Sequence, residues 1–148
     1  MPTADATRGL ADEADVVAAL ARLAQVPSDE QPARADLRLL VKHSLAVLAS
    51  KAPGRAVEVR VPPFAAVQVI AGPRHGRGTP PAVVETDPQL WIALATGATT
   101  WPAALDTGRL HASGQRSDLS PLLPLLPTLP APAAPERPGP DHADPESE

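Results

Sequence analysis

Apolar positions recur at three and four residues along four stretches of the chain and alternate along two others, and the two periods divide it into helices and strands. Along residues 13–25, Val16, Leu20 and Leu23 form one stripe, Asp12 stands at the cap position, and Pro27, Ser28 and Asp29 break the pattern. A longer helix is predicted over residues 34–51. It turns Leu37, Leu40, Val41, Leu45 and Leu48 inward and Arg34, Arg38, Lys42 and Lys51 outward, and Pro53-Gly54 ends it.

Residues 56–71, AVEVRVPPFAAVQVIA, are β-like, and Pro62-Pro63 either bends one strand or closes a hairpin. In one strand Val57, Val59, Val61, Ala65, Val67 and Val69 share a face, because side chains alternate. A two-residue hairpin would pair position 61 with 64 and turn Gln68 inward beside Phe64 and Ile70. Adjacent prolines cannot supply the positive φ angles of such a turn, so one bent strand is expected, with the prolines at an edge or bulge and Gln68 facing solvent. Gly72-Pro73 then turns the chain, a loop runs from Arg74 to Pro81, and Ala82 to Thr86 form a further strand.

Local signals agree best between Val83 and Leu126. Asp87-Pro88 is a helix start, a side-chain acceptor followed by a residue with no amide to satisfy. Leu90, Trp91, Leu94 and Ala95 give one apolar face over residues 88–96, and Gly97 provides the left-handed stop. Thr100, Trp101 and Pro102 open a shorter helix with Trp101, Ala104 and Leu105 inward, closed by Gly108. RLHAS alternates, with Leu110 and Ala112 on one side and Arg109, His111 and Ser113 on the other, and Gly114 ends it. Asp118 caps a last segment in which Leu119, Leu122, Leu123 and Leu126 lie at i, i+3, i+4 and i+7. Pro124 removes an interior helix bond, so the helix is expected from Leu119 to about Leu123, with extended chain after it. Prolines 121, 124, 127 and 130 repeat with the period of polyproline II, which leaves a groove-binding use of this segment open.

The order L-A-x-G, A-L-x-x-G-R-L, strand, Gly, D-L-x-x-L-L-P-L resembles the C-terminal half of the sterol carrier protein fold. Its short actinobacterial branch is the nearest likeness, with an R-V-P-P-F-A-A-V-Q strand (Arg60 to Gln68) and an R-H-x-R-G-T-P-P loop (Arg74 to Pro81) before that half. The resemblance covers roughly residues 35–127. It implies an α+β fold, a mostly antiparallel sheet covered on one face by helices, with an apolar tunnel between the layers and a C-terminal lid. Members bind fatty acyl chains, sterols and similar ligands without transforming them. Such a tunnel would be lined by Val59, Val61, Val67 and Val69 from the sheet, Leu90, Trp91, Leu94 and Leu105 from the middle helices, and Leu119, Leu122, Leu123 and Leu126 from the lid. A similar domain forms the C-terminal part of mycothiol-dependent maleylpyruvate isomerase, whose separate helical bundle holds the metal. No such bundle is legible here, so that activity does not carry over. A region of about 90 residues can also spend these apolar positions on its own core, and an accessory or protein-interaction domain with a filled interior is the alternative.

Composition narrows the choice. A chain of 148 residues suits one domain, divided into an acidic segment with one helix (1–32), the sterol carrier protein-like domain (33–127) and a proline-rich acidic tail expected to be disordered (128–148). There is no cysteine, hence no disulfide and no thiolate chemistry. No apolar run approaches the roughly 20 residues that cross a bilayer, and the N-terminus is acidic where a secretory signal is basic and then apolar, so a cytoplasmic protein is expected. The net charge of −4 divides into −8 over residues 1–30 and 136–148 and +4 over the middle. That excess is scattered, and with no Tyr and one Phe there is no stacking platform for nucleic acid.

Candidate chemistry is sparse. GPRHGRGTPP places Arg74, His75 and Arg77 within four residues among glycines, a pattern that can hold a carboxylate or phosphate head group or simply pair with Glu58, Glu85 or Asp87. His43, His75, His111 and His142 lack metal-ligand spacing, and no nucleophile elbow or acid-base carboxylate pair stands out. The expectation is a non-enzymatic domain without cofactor or metal, partnered by an apolar small molecule or lipid and not by nucleic acid or an inserted membrane segment, its oligomeric state open with a homodimer among the candidates.

Overall fold

A computed structural model describes residues 9–72 and 82–128. Its elements are α1 (Glu13–Ala24), α2 (Arg34–Lys51), β1 (Val57–Val61), β2 (Ala65–Val69), β3 (Ala82–Glu85), α3 (Pro88–Thr96), α4 (Trp101–Asp106), β4 (His111–Ser113) and a 3-10 turn at Ser120–Leu122. The four strands form one sheet in the order β2-β1-β3-β4. β1 is antiparallel to β2 and parallel to β3, and β3 is antiparallel to β4, so the sheet is mixed with two of its three pairings antiparallel. One face carries the helices. Val57, Val59, Val61, Val69, Ala82 and Val84 are buried against them, whereas Arg60, Ala66, Gln68, His111 and Ser113 on the other face are exposed.

The expected single bent strand is instead a hairpin. Val61 pairs with Ala65 and Val57 with Val69, leaving Pro62, Pro63 and Phe64 as a three-residue connection. The Phe64 amide donates to the Val61 carbonyl at 3.0 Å and closes the turn. A two-residue turn needs positive φ; a three-residue connection does not need it at the prolines and leaves the alternation in phase across the turn. The odd positions therefore share the buried side and Gln68 faces out, as in the expected strand, although the chain has reversed between them.

Helix ends follow chemistry already present in the sequence. The Asp87 carboxylate accepts from the Leu90 amide at 2.9 Å, Pro88 opens α3, and Gly97 ends it at φ 82°. Thr100 caps α4 through the Ala103 amide at 3.2 Å. Asp12 occupies the cap position of α1, but its side chain makes no capping bond. α1 is held by packing: Val16, Ala19 and Leu20 join the same apolar cluster as Leu40, Val41 and Leu45 of α2. A two-pronged ion pair adds to this, with Arg22 donating to both carboxylate oxygens of Asp36 at 2.9–3.1 Å.

α2 and α3 meet across a buried polar contact. The Trp91 indole donates to Ser44 Oγ at 2.9 Å, and that hydroxyl donates to the Leu40 carbonyl at 2.7 Å. The last segment is shorter than expected. Asp118 accepts from the Ser120 amide at 2.9 Å, but only one 3-10 turn follows, and Leu123 is already extended at ψ 150°. Pro124 lacks the interior amide a longer helix would need. The Leu125 and Leu126 amides donate to the Ala95 carbonyl at 2.8 and 2.9 Å instead, tying the segment to the end of α3.

Candidate functional site

The residues expected to line a tunnel divide into three groups. Val59, Val61, Val69, Leu90, Trp91, Leu94, Leu119 and Leu126 are buried members of one apolar cluster between sheet and helices. Trp91 and Leu94 expose 0% and 1% of their surface, so that part of the interior is closed. Val67, Leu122 and Leu123 are half-buried at its margin. Leu105 is not inward at all: it is 42% exposed, because a six-residue helix that buries Trp101 and Ala104 has no second neighbour to cover the far side. The head-group candidates Arg74, His75 and Arg77 and residues 129–148 of the tail lie outside the described residues.

Space occurs elsewhere. A cleft of about 620 Å³ lies between α2 and β2. Leu45, Ala46 and Ala49 of α2 face Ala65 and Val67 of β2, and Phe64 stands at the hairpin end. The opening follows from the pairing order. β2 is an edge strand among the described residues, so its inner face is covered by α2 from one side only. Small side chains on both walls, Ala46 and Ala49 against Ala65, leave the space between them unfilled. Gly54 fits the end of α2 tightly against the strand: at φ 150°, a Cβ there would lie 2.1 Å from the Ile70 carbonyl oxygen.

Lys42 of α2 and Arg55, four residues after its end, both border the cleft. Beside Lys42, His43 Nδ1 accepts from the Ala11 amide at 3.0 Å, which ties the chain before α1 to the rim; burial holds the His43 imidazole below its ordinary pKa and favours the neutral acceptor form. Away from the cleft, Arg109 grips Asp87 through two bonds of 2.7 and 2.8 Å. Burial would raise the Asp87 carboxyl, but the Arg109 bonds, the Leu90 amide and the nearby guanidinium charge together hold it below the usual range.

Of the residues expected to touch a ligand, Val67 alone lines this cleft. Four of the others on its walls are alanines, which carry no signal of their own. The available clue was paired small residues on α2 and on the strand after Pro63.

The helical cover on one sheet face and the α3-α4-β4 order are the features that the resemblance predicted. Over residues 33–125 the chain matches the protein family described as Bacterial SCP ortholog. No curated protein matches it. The matched region runs from the start of α2 to the segment tied to α3, and the chain belongs to this family of bacterial sterol carrier protein orthologs.

Proposed function

We propose that the chain is a non-catalytic cytoplasmic carrier that holds an apolar ligand, such as a fatty acyl chain or sterol-like lipid, in the cleft between α2 and β2. The observation that carries this reading is the cleft itself. Its volume of about 620 Å³ falls within the roughly 300–1,000 Å³ of small-molecule sites. Its lining mixes alkyl side chains with Gln68 and two cations, so an amphiphile would lie with its chain against Leu45, Ala49 and Val67 and its polar end toward Lys42 or Arg55. Burying about ten methylenes at roughly 0.8 kcal/mol each contributes about 8 kcal/mol before ordering costs, which corresponds to binding near the micromolar range.

The filled interior around Trp91 and Leu94 favours a second reading, an accessory or protein-interaction domain that carries nothing. Native mass spectrometry of gently purified protein, with uptake of a fluorescent acyl probe, separates the two. A carrier yields a stoichiometric released lipid and micromolar probe binding, and Ala49→Trp weakens that binding by at least about tenfold with unchanged circular dichroism. A protein that flies empty and takes up no probe is an accessory domain.

A further inference from the structure

The described residues include nine lysines and arginines, and their partners sort them by place. Arg22, Arg60 and Arg109 pair with Asp36, Glu58 and Asp87. Lys51 and Arg116 donate to the carbonyls of Leu122 and Ala71. Arg34, Arg38, Lys42 and Arg55 make no hydrogen bond or ion pair among the described residues, and all four border a concavity on one side of α2. Arg34, Arg38 and Lys42 share a groove of about 610 Å³ that Ala35, Leu39 and Gly9 also line. No carboxylate lines it among the described residues. Arg34 also sits 5.2 Å from the centre of the Phe64 ring, which keeps its guanidinium toward the hairpin side. In a chain of net charge −4, a groove walled by three cations that have no hydrogen bond or ion pair among the described residues runs against the overall sign.

The spacing points to an occupant. Cations four residues apart on a helix rise about 6.0 Å per step. Alternate residues of an extended chain lie about 6.6–6.8 Å apart. An extended segment with a carboxylate at every second position therefore keeps nearly in step with Arg34, Arg38 and Lys42, its intervening small side chains over Ala35 and Leu39. A lipid bilayer presents a plane, which meets convex surfaces better than the floor of a groove. We propose that this groove docks an acidic segment of a partner protein, with Asp or Glu at alternate positions, beside the ligand cleft and sharing Lys42 with it.

A usable probe occurs in the chain's own sequence, where Asp144, Glu146 and Glu148 alternate in this way. A fluorescent peptide of residues 139–148 is titrated against the full chain by anisotropy. Saturable binding that weakens with salt is expected, with about a fivefold loss for each of Arg34→Gln, Arg38→Gln and Lys42→Gln and about 25-fold for the Arg34/Arg38 double variant. Arg60→Gln, which removes a cation already paired on the far sheet face, moves it less than about twofold. Both arginines are exposed, and circular dichroism confirms that the variants fold. Equal binding by wild type and double variant overturns the proposal. So does binding to phosphatidylglycerol vesicles through the same cations without peptide binding. If Asp144→Asn/Glu146→Gln/Glu148→Gln in the full chain tightens probe binding by about tenfold or more, the groove's occupant is this chain's own terminus and the partner-protein assignment fails. Acyl-probe uptake is measured in parallel without peptide, and its retention in the double variant separates this groove from the carrier cleft.

Discussion

The indole nitrogen of Trp91 donates to the hydroxyl of Ser44 at 2.9 Å, and neither residue exposes any surface. This bond joins α2, which walls the cleft, to α3, which fills the core. Ser44→Ala leaves the indole donor unpaired in an apolar setting and is expected to cost about 1–3 kcal/mol. Trp91→Phe alone costs packing volume, but on the Ser44→Ala background it no longer abandons a donor. A double-mutant cycle by urea denaturation, followed by circular dichroism, should show the two substitutions costing less together than their sum.

Asp87 serves as both helix cap and partner of Arg109. Asn retains the cap acceptor and loses the charge, so Asp87→Asn should lose only about 0.2–1 kcal/mol, the range of exposed pairs, whereas Asp87→Ala also loses a cap worth about 1 kcal/mol. Because the folded carboxyl sits below its ordinary value, its contribution is complete above the ordinary carboxylate range and is lost as pH falls through the folded value. Stability against pH should therefore flatten on the acid side in Asp87→Asn relative to wild type.

His43 carries a second pH dependence. Its neutral ring accepts the Ala11 amide, and burial lowers its folded pKa, so the contact contributes fully above about pH 6.5 and is lost as acid protonates the unfolded chain first. In His43→Asn, which offers an oxygen acceptor near the Nδ1 position, the loss between neutral and mildly acidic pH should shrink. Amide exchange at Ala11 as a function of pH reads this directly; an unchanged pH profile in the variant would contradict it.

Gly54 meets the Ile70 carbonyl more closely than any side chain permits. Gly54→Ala must displace β2 from the end of α2, so it should destabilise the protein by about 1–3 kcal/mol and weaken acyl-probe binding with it. Denaturation midpoints and probe affinity should fall together.

The sequence made some of this visible and hid the rest for reasons that particular residues explain. α2 runs over Arg34–Lys51 as its apolar spacing predicted, and Asp87, Pro88 and Gly97 placed both ends of α3, because caps and periodicity are local. Strand pairing is not local. The alternation through Val57 to Val69 keeps one phase whether the chain runs straight or turns back through three residues, so face was legible and topology was not. The leucine spacing after Asp118 was real, but Pro124 allowed it one 3-10 turn, and only Leu119 and Leu126 reached the buried layer. The cleft depends on β2 being at the sheet edge, a fact of pairing order that no single stretch encodes.

The most direct test of the carrier reading is a two-dimensional amide NMR titration of the isotope-labelled full chain with a medium-chain fatty acid. Binding in the cleft predicts saturable shifts centred on Leu45, Ala46, Ala49, Ala65 and Val67, with Trp91 and Leu94 little changed. Shifts centred on Trp91 and Leu94 instead, or none at millimolar ligand, would contradict it.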